Sequence, residues 1–468
     1  MQHPSYEPGE WSDFLPAWAR LADFASVGLL VAAATIAVSG GFRTRIADWH
    51  VAFTSPLRLV VWAIAIGAAR HVVVRRHSIV EHVSARVVAL TRSDACRASV
   101  AVTLLTRPIV MLVGFLAVAM IGYAPNAQPF HEFSNELFNL PLRWDAGWYL
   151  QIATNGYQFI RDAGPEAQQN IVFFPAYPMI VRLVALVFGN TIGAYVSAAI
   201  AVSVVFSAIG LAYVYGIARR FLDGEQSTTA LWLMATFPFA LFFGAIYGES
   251  LFLACAAGAV YHCDRREWRH ASPWALVAGL TRPNGFLLAI PLLLMTPFDV
   301  ARSDRRRFAV AAAPVVGVAI YALFIWHLTG SPFAWATGHA AWGRHYRGVA
   351  SLVTDRYNFI AHAGVTGYVA QQPYDFVNAA GLLFVLASVW PLARRFSIAL
   401  AAFVVVNVVP GLVSGGLMSM GRFSSVLFPA FIWFASVVPA RHRTGWIAAF
   451  ASLQALNAAL FYTWRPLF

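Results

Sequence analysis

Apolar residues in this chain come in long unbroken runs, separated by short arginine-bearing or aromatic-rich stretches. The runs fall at roughly 25–41, 52–69, 99–122, 191–217, 228–245, 247–262, 307–328, 374–392, 397–413, 423–439 and 445–462. Several approach the roughly 20 residues that cross a bilayer as a helix. A membrane β-barrel would instead show short alternating segments. The pattern therefore predicts an all-α polytopic membrane protein, a bundle of about 11–13 membrane helices with two large extracytoplasmic loops.

Arginines orient the bundle. Residues 70–98 hold Arg70, Arg75, Arg76, Arg86, Arg92 and Arg97, so this segment is expected on the cytoplasmic side. Later clusters at Arg219–Arg220, Arg265–Arg269, Arg305–Arg307, Arg394–Arg395 and Arg441–Arg443 mark further inner ends. Two segments break simple parity. Residues 173–188 are short and carry Arg182, which predicts an interfacial or half-depth helix. Residues 271–298 are interrupted by Thr281-Arg-Pro-Asn-Gly285, which predicts two short helices meeting at a break, with Arg282 facing a cavity. This topology makes 123–172 and 329–373 the outer loops and divides the chain into 1–98 and 99–468.

Composition agrees. Of 468 residues, 59% are hydrophobic and 12% charged, where a soluble domain has about 25% charged. The net charge of +12 comes entirely from arginine, since the chain has no lysine. Those arginines sit at helix ends rather than in one patch, so a nucleic-acid role is excluded. Cys96, Cys255 and Cys263 have neither disulfide nor metal spacing. His339, His345 and His362 share one loop but lack zinc register, so no metal or cofactor is expected. The polar, acidic N-terminus to Trp18 does not read as a cleavable signal.

The chemistry concentrates on the predicted outer face. Asp145 stands in Leu142-Arg-Trp-Asp-Ala-Gly-Trp-Tyr-Leu150, and Asn170 precedes Phe173-Phe-Pro-Ala-Tyr-Pro178. A carboxylate there can take a proton from a hydroxyl, while the rings of Trp144, Trp148 and Tyr149 can hold a lipid or a sugar face, or else anchor the loop at the membrane interface. Its plainer role is a helix N-cap, since Ala-Gly-Trp-Tyr can open an interfacial helix. Glu249, in Tyr247-Gly-Glu-Ser-Leu-Phe252, either serves the site or suits the first turn of a helix dipole. Arg422, Arg344 and Arg143 are outer arginines set against the positive-inside bias, so each needs an anionic partner, either a lipid phosphate or a structural carboxylate.

Taken together, these blocks resemble the GPI mannosyltransferase 2 (PIG-V) family. The resemblance rests on Trp144-Asp-Ala, Tyr149-Leu, Ile152-Ala, Gly156-Tyr157, Asn170 and Phe173 to Pro178. Tyr247-x-Glu-Ser-Leu-Phe252 and Arg282-x-Asn-Gly285 follow in the same order. The Trp-Gly-Arg at 342–344 and the Gly-Arg-Phe at 421–423 look like features of bacterial relatives. The resemblance implies a GT-C bundle and a glycosyltransferase using a polyprenyl-phosphate sugar, with an outer-loop acid near the catalytic centre. The lysine-free composition points to a bacterial inner membrane. The two leading helices look like an addition, and Arg282-Pro-Asn-Gly departs from the Arg-Ser-Asn-Gly form of eukaryotic members.

On that footing the reading is an inverting transferase, with mannose the expected sugar, a polyprenyl-phosphate sugar as donor and a lipid or glycan as acceptor. Asp145 is the base, Glu249 supports it, and Arg422, Arg344, Arg282 or Arg143 holds the donor phosphate. Trp144, Trp148, Tyr149, Asn170, Tyr177 and Tyr247 line the sugar or acceptor site. A transporter or flippase for a lipid-linked sugar is the competing class, and an envelope scaffold the third.

Overall fold

The computed structural model describes residues 16–39, 42–46, 49–53, 55–74, 91–164, 166–295, 306–345 and 348–467. Most of the predicted cytoplasmic segment, residues 75–90, lies outside the described residues, as does the chain before residue 16. The fold divides into two compact units. One comprises Met1–Ser93 with Arg182–Gly189, and the other Asp94–Val181 with Asn190–Phe468.

The first unit contains helices α1 (Ala17–Ser39) and α2 (Pro56–Val73). Between them strands β1 (Phe42–Ile46) and β2 (Trp49–Phe53) pair antiparallel, with Phe42 opposite Phe53. This hairpin is a local departure from the all-α expectation, and it shortens the expected run 52–69 at its start. Pro56 then opens α2, because its fixed φ suits the first helical position, where no N–H is needed. Arg70 and Asp23 form an ion pair at 3.0 Å between the two apolar helices. Each charge is tolerated in such a setting only with its partner.

The second unit is built from α3 (Asp94–Ile121), α4 (Ala146–Asn155), α5 (Ala176–Phe188, shared with the first unit), α6 (Ile192–Ala218), α7 (Gly224–Thr236) and α8 (Glu249–Asp264). Then follow α9 (Trp268–Gly279), α10 (Ala289–Leu294), α11 (Arg306–Thr329), α12 (Val349–Gln371), α13 (Pro373–Ala387), α14 (Ile398–Gly415), α15 (Phe428–Val437) and α16 (Ala440–Tyr462). Helix α6 packs along α8 and α3, α9 along α11, and α3 along α16. Across the described residues, eight helices are long and apolar enough to span a membrane, and three shorter apolar helices accompany them. The polytopic helical architecture read from the apolar runs is borne out.

Several boundaries move. The runs 228–245 and 247–262 are not two full helices, because an irregular segment separates α7 from α8 over residues 237–248. Pro238 cannot donate a helical hydrogen bond, which stops α7. The carbonyls this break frees are met by side chains from neighbouring helices. Arg107 of α3 donates to Ala235 O at 2.5 Å and also to Ala240 O. Gln454 donates to the Ala235 and Phe237 carbonyls, each at 3.0 Å, and Asn457 to Pro238 O at 3.1 Å. Irregular backbone survives at membrane depth only with such partners. The run 423–439 splits into a short turn, Met420–Ser424, and the short α15. The expected loop 329–373 is largely helix, with α12 kinked at Gly364. The expected break at Thr281–Gly285 is present, with α9 ending at Gly279 and a tight helical turn over Pro283–Leu288 leading into α10.

Candidate functional site

Asp145 occupies the N-cap position of α4, yet its carboxylate makes no capping bond. Its Oδ2 instead accepts from Arg422 Nη1 at 2.9 Å. The side-chain bond that an N-cap role requires is absent, and the side chain is turned toward a charge 277 residues away. Trp144 just before it has φ +55°, a left-handed conformation unusual for a tryptophan, costing about 1–3 kcal/mol. Contacts on both sides help to hold it: the Tyr247 hydroxyl accepts from Asp145 N at 3.0 Å, and Trp144 Nε1 donates to Phe461 O at 3.1 Å.

Arg422 is the hub. It sits in the short turn Met420–Ser424, and its Nε donates to Glu249 Oε1. Gly421 lets this turn approach closely, since a Cβ there would meet the Phe239 ring at 2.1 Å. Its N–H is held by Asn378 Oδ1 at 2.9 Å. The Arg422 guanidinium also lies over the Tyr247 ring at 4.5 Å, and the two carboxylates hold it firmly protonated despite burial. Glu249 is 1% exposed and reaches Arg282 Nη2 at 3.4 Å, while its second oxygen is buried and has no hydrogen-bond partner among the described residues.

Arg344 completes the group differently. Its guanidinium faces the Phe423 ring at 5.2 Å, and Arg282 faces the same ring at 4.9 Å. Arg344 makes no ion pair among the described residues. Burial, and next the charge of Arg422, lower its pKa to about 10, which still leaves it cationic at neutral pH. Burial likewise lowers His339 to about 4, with Arg344 as the second cause, so that this imidazole is neutral. Three guanidinium groups face two carboxylates, so the cluster carries one positive charge in excess, and Arg344 holds it.

The aromatic wall stands beside Asp145. Trp148 stacks on Phe173 with centroids 6.0 Å apart, and both rings meet Trp342 at 5.8 Å. Tyr149 is buried against Phe173 and Tyr177, each 5.2 Å away. Its phenol is raised above its ordinary range, first by burial and then by Glu249.

The structure thus brings Asp145, Glu249, Arg422, Arg282 and Arg344 together, with Trp148 and Tyr149 alongside. It does not bring in Arg143, although that residue is two positions from Asp145. Arg143 is fully buried, paired with Glu136 at 2.8 Å and donating to the Tyr462 and Asn139 carbonyls. Asn170 and Tyr177 are spent on scaffold bonds. Asn170 accepts from Gln158 N at 3.1 Å, and Tyr177 donates to Ala199 O at 3.0 Å. Tyr247 lies beneath the Trp144–Asp145 backbone. Trp342, Phe423 and Asn378 were not singled out as site residues, although the first two flank arginines in motifs already noticed. At the other end of α8, His262 Nδ1 lies 2.6 Å from Glu267 Oε2, and His270 offers a third donor within 4.8 Å.

The fold and the charged cluster define a polytopic helical membrane protein with an acid–arginine centre at the ends of its helices. Residues 116–299 match the family described as Mannosyltransferase (PIG-V). The resemblance read from the loop motifs is thereby borne out over that stretch. A GPI mannosyltransferase 2 from Drosophila pseudoobscura pseudoobscura is 28% identical over 166 residues, which is 32% of this chain. The chain spans about a third of that relative's length, 34%. Among solved structures, the archaeal oligosaccharyltransferase AglB from Archaeoglobus fulgidus, in complex with an inhibitory peptide and a dolichol-phosphate, aligns at TM-score 0.36 and 12% identity. That alignment covers 77% of this chain and 55% of that one.

Proposed function

We propose that this protein is a membrane glycosyltransferase. It moves a sugar, mannose in our reading, from a polyprenyl-phosphate donor to a hydroxyl of a lipid or glycan acceptor, on the extracytoplasmic face of a bacterial inner membrane. The observation that carries the proposal is Asp145, a helix-start carboxylate that forgoes its cap to face an arginine hub beside an aromatic wall. The match of residues 116–299 to mannosyltransferases supports the choice of sugar.

The reaction is a single displacement. The acceptor oxygen attacks the anomeric carbon, and the bond from that carbon to the phosphate oxygen breaks. The electron pair leaves with polyprenyl phosphate, and the acceptor proton passes to Asp145. Oδ2 of Asp145 is oriented by Arg422, and Oδ1 accepts no hydrogen bond among the described residues, which makes it the atom to take the proton. Arg422 is already held by two carboxylates, so the donor phosphate falls to Arg344, the guanidinium with charge to spare. A guanidinium grips phosphate bidentately and stabilises the charge that develops as it leaves. Trp148, Phe173 and Trp342 present ring faces to the sugar.

The test uses purified protein with radiolabelled polyprenyl-phosphate mannose and a membrane-lipid extract as acceptor pool. Loss of label from the donor with appearance of a new labelled lipid is the expected result. Movement of intact donor across a vesicle without transfer would establish the transporter reading instead.

A further inference from the structure

A second feature lies at the other end of the helices. Helix α8 runs 16 residues from Glu249 to Asp264, so its two ends stand roughly 20–25 Å apart. Around its far end opens a cavity of about 500 Å³. It is lined by Arg219 and Arg220 after α6, by Asp264 at the end of α8 and Arg265 just after it, and by Ser397 at the start of α14. Its floor is apolar, formed by Ile217, Val260 and Leu400. Leu294 and Met295 at the end of α10 form another wall.

The charges here are unequally spent. Arg220 is paired with Asp264, and Arg265 donates to Glu267 at 3.1 Å. Arg219 makes no ion pair among the described residues, and its Nη1 donates only to the Leu222 carbonyl, at 2.7 Å. The cavity also receives the N-terminus of the 18-residue α14, whose Ser397 accepts from Ala399 N at 3.2 Å. Its remaining first-turn N–H groups add positive potential. Arginines placed only to orient a membrane protein need no cavity beneath them. Here an unpaired guanidinium and a helix N-terminus stand over an apolar floor, at the end of a membrane-length helix.

We infer that this cavity is a binding site for an anionic phospholipid, with the phosphate on Arg219 and the start of α14 and the acyl chain against the apolar floor. It is separate from the Asp145 centre and does not depend on the transfer reaction.

The test is a thermal-melting titration of the purified full chain in detergent, with short-chain phosphatidylglycerol, short-chain phosphatidylcholine and inorganic phosphate as separate probes. Phosphatidylglycerol should raise the melting temperature at concentrations where the other two do not. Arg219→Gln should weaken its apparent affinity about tenfold or more while leaving the lipid-free melting temperature unchanged, and Arg219→Lys should recover part of the loss. If the glutamine variant does not fold, Leu294→Trp serves instead: it crowds the cavity from an exposed position and keeps every charge, and it should also lose the response. Equal stabilisation by phosphatidylcholine, or a full response from both variants, would overturn the site. Inorganic phosphate matching phosphatidylglycerol would overturn the lipid assignment.

Discussion

Arg107 and Arg422 are both arginines shielded among the helices of the second unit, yet their charges are met in opposite ways. Arg107 is 4% exposed and is held by backbone carbonyls of the broken segment after α7. Arg422 is held by the carboxylates of Asp145 and Glu249, one still 20% exposed and the other buried. A carbonyl in a fixed backbone has no proton to trade, so the Arg107 region can only hold shape. A carboxylate can take a proton and release its partner, so the Arg422 region can carry chemistry. The contrast teaches that the nature of the acceptors separates scaffold from site better than the burial of the arginine.

Five substitutions press on that contrast. The largest effect belongs to Asp145→Asn, which keeps size and most hydrogen bonding but cannot accept the acceptor's proton. Turnover should fall by about 10²- to 10⁴-fold, with donor binding and melting temperature retained, as measured in paired kinetic and thermal assays. Near-normal turnover would make Asp145 a structural partner of Arg422 and erase the distinction. Next comes Arg422→Gln. It leaves the buried Glu249 with only the longer contact to Arg282 and takes Asp145's partner away, so the loss stays below the about 3–5 kcal/mol of a buried charge left alone. A sequence-level view of Arg422 as a phosphate clamp expects activity to suffer far more than stability, whereas the observed pairing requires both to fall. Glu249→Gln in the same chain should restore much of the stability in a double-mutant cycle. Additive losses would mean the cluster is not one unit.

Arg107→Leu should cost about 1–3 kcal/mol, because the Ala240 carbonyl loses its arginine donor while Gln454 still serves Ala235. The surviving folded protein should keep its donor KM, because the substitution touches only scaffold. A selective change in KM would place Arg107 in the site after all. The smallest effect is expected at Arg344→Gln, about a tenfold rise in donor KM with melting unchanged, the low end for a charge-assisted contact. The pH dependence follows from the same group. Arg344 is charged below its pKa of about 10, so donor KM should be flat near neutrality and rise as pH passes through about 10. A KM that climbs only in acid would point to another group.

Much of this was legible in the sequence. The long apolar runs announce membrane helices because length and hydrophobicity suffice to cross a bilayer. Pro283 and Gly285 announce the break after α9 because proline ends a helix. Asp145 stands out because acid, tryptophans and a helix start coincide. The pairing itself was not legible. Glu249 and Asp145 reach Arg422 across 173 and 277 residues, and no local periodicity encodes such a contact. Adjacency even misleads, since Arg143 beside Asp145 turns to Glu136 and to the carbonyls of other segments. The irregular stretch after α7 hid because Phe237-Pro-Phe-Ala-Leu-Phe-Phe243 reads as one apolar run. Pro238 was the signal, and Arg107, Gln454 and Asn457 supply the satisfaction that only tertiary structure reveals. Helix α12 escapes a reading based on apolar runs because its mixed polar and apolar positions fall below the hydropathy of a membrane span.

In the proposed reaction Asp145 is a base in one displacement, never a nucleophile that becomes sugar-bound. The anomeric configuration of the product, read by proton NMR against a donor of known configuration, tests this most directly. Inversion is the predicted result. Retention would contradict the account, because it requires two displacements and a covalent sugar–enzyme intermediate.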